Sequence, residues 1–247
     1  MQEDHDISSS IEESILKSII REKIPKENIP DGWERKKLKD IGEIYSGGTP
    51  KRDNDDYFGG DIPWVRLKDA KSDYAYETQE YLTDEGLNSS SAQLLPKGTV
   101  IVSTRATIGE ITIAGRELTT NQGFKSIKPQ NSVPEFVAYY LSSIVEEMEN
   151  LARTTTYPEV NKTQFSNIEI PLPPVEEQEE IVDKINSLKN KIDSIHESSD
   201  RKQEIIELLP KSILNKGFRG EIQYQGDGED SFNNQRTVVQ QHKLKDF

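Results

Sequence analysis

Several short polar segments pair cations, hydroxyls and amides in the way that duplex DNA is read. Arg105 closes a β-branched run beside Ser103, Thr104 and Thr107. There a guanidinium can fork onto guanine or phosphate while hydroxyls reach backbone oxygens; an ordinary strand end with solvated polar residues has the same composition. Thr119-Thr120-Asn121-Gln122-Gly123 offers two amides suited to adenine edges, or a hydrogen-bonded turn. Arg153 and Thr154 to Tyr157 can present several donors to phosphate, or form a plain loop. In Ser46-Gly47-Gly48-Thr49-Pro50-Lys51-Arg52, paired glycines let a backbone approach a polyanion closely beside two bases and a hydroxyl, unless the segment is only a flexible hairpin loop. Arg66, Lys68 and Lys125 join this candidate DNA-binding set. Trp33 and Trp64 can stack on bases, but a tryptophan between Pro63 and Val65 reads better as core.

Catalytic chemistry has little support. Without cysteine, thiol catalysis, disulfides and Cys-ligated metals are excluded, and His5, His196 and His242 are too scattered for a metal site. Neither a phosphate loop nor a dinucleotide fingerprint occurs. Pro30-Asp31 with Glu34-Arg35-Lys36 imitates a nuclease acid pair and lysine, but the spacing is too short for two strands to converge, and a charged turn is the better reading. No catalytic residue, metal or cofactor is therefore expected.

The elements that must carry these groups follow from periodicity. Residues 1–30 read as a helical leader, with Ser9 and Ser10 at capping-box spacing from Glu12 and Glu13. Its apolar face, Ile11, Ile15, Leu16, Ile19 and Ile20, calls for a partner surface. Residues 31–174 carry short β-like runs, clearest over 99–103, 108–114 and 123–127, and one helix from Pro134 to Leu151. Ile170-Pro171-Leu172-Pro173-Pro174 reads as an edge strand and a stiff exit. From Val175, Ile181, Ile185, Leu188, Ile192 and Ile195 follow coiled-coil spacing, and Ile206, Leu209 and Ile213 resume it after a polar gap. That seam predicts a dimer or partner interface within a helical region over 175–222, and residues 223–247 read as a disordered tail. The fold class is α+β, a mixed β-sheet domain followed by a long coiled-coil-like helix.

At 247 residues the chain can bury a real core, but with 32% apolar and 30% charged residues a second full-sized one is not expected. The formal charge of −13 argues against nucleic acid. Residues 31–172 account for −6 of it, from 16 basic and 22 acidic side chains, so local basic clusters remain available. With no apolar run near the ~18 residues of a membrane span, and an acidic N-terminus, a cytoplasmic protein is expected.

Ordered along the chain stand Gly32-Trp33 with Lys37-Leu38, Ser46 to Pro50, Gly59 to Trp64, Pro96 to Val100, Ser103 to Gly109, Asn121 to Phe124, and Ile170 to Pro174 with Glu177-Gln178. Each is weak alone, but in this order and spacing they resemble the specificity (S) subunit of type I restriction-modification systems, over nearly all of 31–222. The resemblance implies a target recognition domain reading half of a bipartite duplex site, and a helix that spaces such domains and docks DNA methyltransferase (modification) subunits. A restriction (translocase/nuclease) subunit completes the complex. Such subunits ordinarily carry two recognition domains and two spacer helices. Here one of each is visible, so the chain reads either as a half-sized subunit that pairs with a second copy or another half-subunit, or as one piece of a split or truncated gene. A scaffold or anti-restriction decoy that binds methyltransferase subunits without reading DNA is the alternative.

Overall fold

The computed structural model describes residues 14–153 and 158–208. Residues 14–23 form helix α1. The strands are β1 Glu34–Lys37, β2 Gly42–Ser46, β3 Phe58–Val65, β4 Tyr74–Ala75, β5 Tyr81–Leu82, β6 Val100–Ser103, β7 Ile111–Ala114, β8 Thr119–Thr120, β9 Phe124–Pro129 and β10 Glu169–Leu172. The remaining helices are α2 Leu38–Ile41, α3 Asp84–Asn88, α4 Pro134–Ser143, α5 Val145–Ala152, α6 Lys162–Ser166 and α7 Val175–Leu208. The fold is mixed α+β, as expected.

A five-stranded sheet in the order β2-β9-β6-β7-β4 forms the centre. Its pairs are antiparallel except for β4 alongside β7. Because strand side chains alternate, register decides which core each residue joins. Val100 sits opposite both Ile127 and Ile113, and these three bury with Val102 against the helices. Ile101, Ala114 and Phe124 point the other way into a second cluster with Val65, Leu95 and Leu118. A smaller sheet, β5-β3-β8, lies over a third cluster built on Trp64 and Leu82. The predicted edge strand is β10, paired antiparallel with β1.

Two sequence expectations change here. The single helix over 134–151 is two, α4 and α5, broken at Ile144. The Ser142 and Ser143 hydroxyls donate back to the carbonyls of Tyr139 and Tyr140, which competes with continuation of the helix. Secondly, the chain itself covers part of the apolar face of α1: Ile20 is buried, Leu16 and Ile19 are half-buried, and Ile15 stays exposed. Ile20, together with Ile24 just past the helix end, is buried in the main core with Phe136, Tyr140 and Leu141 of α4, and the Arg21 guanidinium bonds the Ser143 carbonyl at 3.1 and 3.2 Å. Ile11 and the Ser9/Ser10 caps lie outside the described residues.

Two compact units divide the chain, Met1–Asp193 and Ser194–Phe247. In the first, Ile181, Val182 and Ile185 of α7 bury in the same core as α1 and α4. The Gln178 amide, fully buried, accepts from the Val133 N–H at 2.9 Å and donates to the Pro173 carbonyl at 2.8 Å, fixing the start of α7 on that of α4. The expected boundaries at 30/31 and 174/175 thus cut through shared packing. Of the second unit, residues 194–208 are described, and they are helical.

Candidate nucleic-acid interface

Strands β2 and β6 end, and β9 begins, at one level of the central sheet, since Ser46 pairs with Lys125 and Ser103 with Phe124. The segments leaving these points are bonded to one another. Gly47 N–H donates to the Phe124 carbonyl at 3.3 Å and Gly48 N–H to that of Thr120 at 2.9 Å. Thr104 N–H reaches the Gly123 carbonyl at 2.8 Å, and Val160 N–H the Thr104 carbonyl at 3.0 Å. An isolated antiparallel bridge joins Arg105 to Glu159. Four chain segments, 46–50, 103–110, 121–125 and 159–160, therefore converge at one sheet end.

The loop from Ser103 to Gly109 is closed from inside. The Ser103 hydroxyl donates to the Thr107 carbonyl at 2.6 Å and accepts from Glu110 N–H at 2.9 Å, while Gly109 N–H donates to the Ser103 carbonyl at 3.0 Å. Gly109 holds φ +98°, open to glycine at little cost, and Ala106 holds φ +63°. These bonds bury Thr104 and leave Arg105, Ala106 and Thr107 exposed, with no side-chain hydrogen bond or ion pair among the described residues. Thr104, expected on the DNA-binding set, is thus a loop anchor, its hydroxyl on the Gly123 carbonyl at 3.2 Å.

The other candidates separate in the same way. Gly47 and Gly48 are buried, and the close approach they allow is to the chain itself: a Cβ would fall 1.7 Å from the Asn121 carbonyl oxygen at one and 2.1 Å from the Ala92 nitrogen at the other. Asn121 takes the turn reading, its Oδ1 accepting from Gly123 N–H at 2.9 Å. Gln122 is exposed, and its Oε1 accepts from the Thr49 hydroxyl, tying two of the segments together. Lys51 and Lys68 are exposed cations without a carboxylate partner among the described residues. Arg153, also exposed, touches Asn150 Oδ1 at 3.5 Å. Thr154 and Tyr157 lie outside the described residues.

Three of the candidate cations already have carboxylates. Lys125 Nζ, nearly buried, is 3.0 Å from Glu159 Oε1. Arg52 meets Glu80 at 2.6 Å and stacks over Trp64 and Phe58, 4.7 and 4.9 Å from the ring centroids. Arg66 bonds the other oxygen of Glu80 and lies 3.9 Å from Asp69. Trp64 is core, as expected, 1% exposed, with its indole N–H on the Gly48 carbonyl at 3.1 Å. Sequence reasoning missed Glu80, Glu159 and Asp69, because nothing local in the sequence links them to cations 28, 34 and 3 residues away, the last being an ordinary turn spacing.

On α7, the expected interface residues Ile181 and Ile185 face the chain's own core, while Leu188 and Ile192 stay half-buried. For Ile195 and Ile206 only the helical backbone is described, and Leu209 and Ile213 lie beyond it.

Comparison with known proteins agrees with this architecture. Residues 30–206 match the family model for the type I restriction modification DNA specificity domain. The chain is 35% identical over 196 residues to the type I restriction enzyme MjaIX specificity subunit of Methanocaldococcus jannaschii, covering 77% of this chain and 44% of that protein. It is 32% identical over 194 residues to the HindI specificity subunit of Haemophilus influenzae, covering 76% and 42%. The chain spans less than half the length of these curated relatives. Its fold matches the HsdS subunit of Thermoanaerobacter tengcongensis with TM-score 0.65 at 22% identity, over 90% of this chain and 55% of that one.

Proposed function

The chain belongs to the type I restriction modification DNA specificity family, and on that footing we propose that it is a sequence-reading module that directs methyltransferase and translocase/nuclease subunits to a bipartite duplex site. The observation that carries this reading is the sheet end where four segments converge and lift Arg105, Thr107 and Gln122, with side-chain donors, clear of the buried anchors beneath them. Base edges in a major groove are told apart by such donors and acceptors, and phosphates are met by cations such as Lys51 and Lys68. Catalysis belongs to the partner subunits in this reading.

The half-buried Leu188 and Ile192 on α7 are the residues best suited to pack a second helix, from another copy of the chain or from another half-subunit. That coiled-coil pairing would make α7 the spacer between two recognition domains. Methylome sequencing of a host expressing this chain with its methyltransferase subunit tests the whole reading. A methylated bipartite motif that disappears on deletion of the gene is expected; methylation indifferent to this chain would refute the reading.

A further inference from the structure

Glu80 holds two arginines at once, Arg52 on Oε2 and Arg66 on Oε1, and both guanidinium groups lie over the Trp64 ring. Its backbone is fixed, since the Glu80 carbonyl accepts from Trp64 N–H at 3.0 Å and from the Thr78 hydroxyl at 2.6 Å. Trp64 in turn carries the 46–50 segment through the bond from its indole N–H to Gly48. The cluster thus adjoins the converging segments. Asp69 backs Arg66, whose side chain is only 18% exposed, whereas that of Arg52 is 51% exposed. Arg52 is the cation within reach of a polyanion, and Glu80 is what holds it back.

We propose that Glu80 is a specificity-determining residue that withholds Arg52 from DNA phosphates and so suppresses binding to random duplex. This rests on the recognition reading above and adds to it a device against the wrong partner. Random-sequence binding comes from Lys and Arg neutralising phosphates, whereas base contacts reward only the right site. A carboxylate that pins a cation inside the protein therefore lowers this sequence-independent term on every duplex and leaves the base contacts alone, so random duplex is released at concentrations where a target that adds base contacts stays bound. The aromatic faces of Trp64 and Phe58 keep the pinned guanidinium in place.

The test uses the full chain assembled with its methyltransferase subunit, titrated at several salt concentrations against a duplex bearing its methylated motif and against a random-sequence duplex of equal length. For Glu80→Gln we expect random-duplex affinity to rise roughly tenfold near 0.1 M salt and the salt slope to steepen by about 0.9, the worth of one added phosphate contact, with a similar gain on the target. For Arg52→Gln we expect the random-duplex slope to stay at the wild-type value, a result that decides the matter even where Glu80→Gln does not fold. A slope that falls by about 0.9 in Arg52→Gln would mean that Arg52 already sits on a phosphate and would overturn the inference. So would a folded Glu80→Gln with unchanged random-duplex affinity. A wild-type complex that binds neither duplex refutes the recognition reading itself, and is distinguishable because it needs no variant.

Discussion

Arg105 sits on a loop tip whose geometry is set by other residues, so its removal should change recognition and leave folding alone. Arg105→Ala is expected to weaken binding to the target by about 1–3 kcal/mol, the worth of one bidentate base contact, with an unchanged melting temperature. Equal loss on target and random duplex would make it a phosphate contact. The neighbouring Glu159 should behave in the opposite way. Its carboxylate compensates the nearly buried Lys125 and its backbone bridges Arg105, so Glu159→Ala should cost about 1–3 kcal/mol of stability by leaving a charge without its partner. Glu159→Ala with Lys125→Met should recover most of that loss in a denaturant titration.

Helix α1 and the first turns of α7 wall the main core. Ile185, fully buried, should lose about 2–4 kcal/mol on truncation to Ala, whereas Leu188→Ala should cost less stability and reduce association on size-exclusion chromatography. Deleting residues 1–24 should likewise lower the melting temperature, because loss of Ile20 and Ile24 would leave holes in the main core. Tyr140 adds a pH signature to the same layer. Its hydroxyl donates to the Glu169 carbonyl at 2.7 Å, linking α4 to β10, and burial is the main reason that it is pushed up to about 12. An unfolded tyrosine titrates near 10, so the native state holds this proton more tightly. Stability is then full below about pH 10 and falls as pH rises from about 10 to 12. Tyr140→Phe should flatten that fall while lowering stability at neutral pH by about 1 kcal/mol.

Much of this element layer was legible from periodicity. The β6, β7 and β9 runs, the α4 stripe and the burial of Trp64 follow from alternation and helical spacing, which report local chain geometry. What periodicity cannot carry is the identity of the covering surface: the faces of α1 and early α7 read as unpartnered because their cover comes from residues more than a hundred positions away in one case and forty in the other, Phe136 and Tyr140. At the candidate interface, the exposure of Arg105 and Gln122 is legible because polar types at turns need little context to stay on the surface. Arg52, Arg66 and Lys125 have the right side chains, but their carboxylates arrive through tertiary pairing.

For the whole molecule, a net charge of −13 has to be reconciled with the DNA-reading role proposed above. Arg52, Arg66 and Lys125 are each paired to a carboxylate, so in the proposed role affinity has to come from a small number of contacts and from partner subunits. As a proposed spacer, α7 has 34 residues and a length of about 50 Å, comparable with one to one and a half turns of duplex. Inserting one heptad into it should change the number of unread bases between half-motifs in the methylome and leave the half-motifs unchanged. Altered half-motifs would refute the ruler role of the helix.

The loop between β6 and β7 divides its labour sharply: Ser103, Thr104 and Gly109 hold it shut, and residues 105–107 make no side-chain bond among the described residues. Such a loop is evolvable in a literal sense. Mutations at its tip can redraft the DNA motif without renegotiating folding, while mutations at its base are filtered out as misfolded chains before any DNA is met. In the proposed role such an arrangement lets recognition change without refolding, and a library randomised at 105 and 107 should yield mostly soluble proteins with dissimilar methylomes.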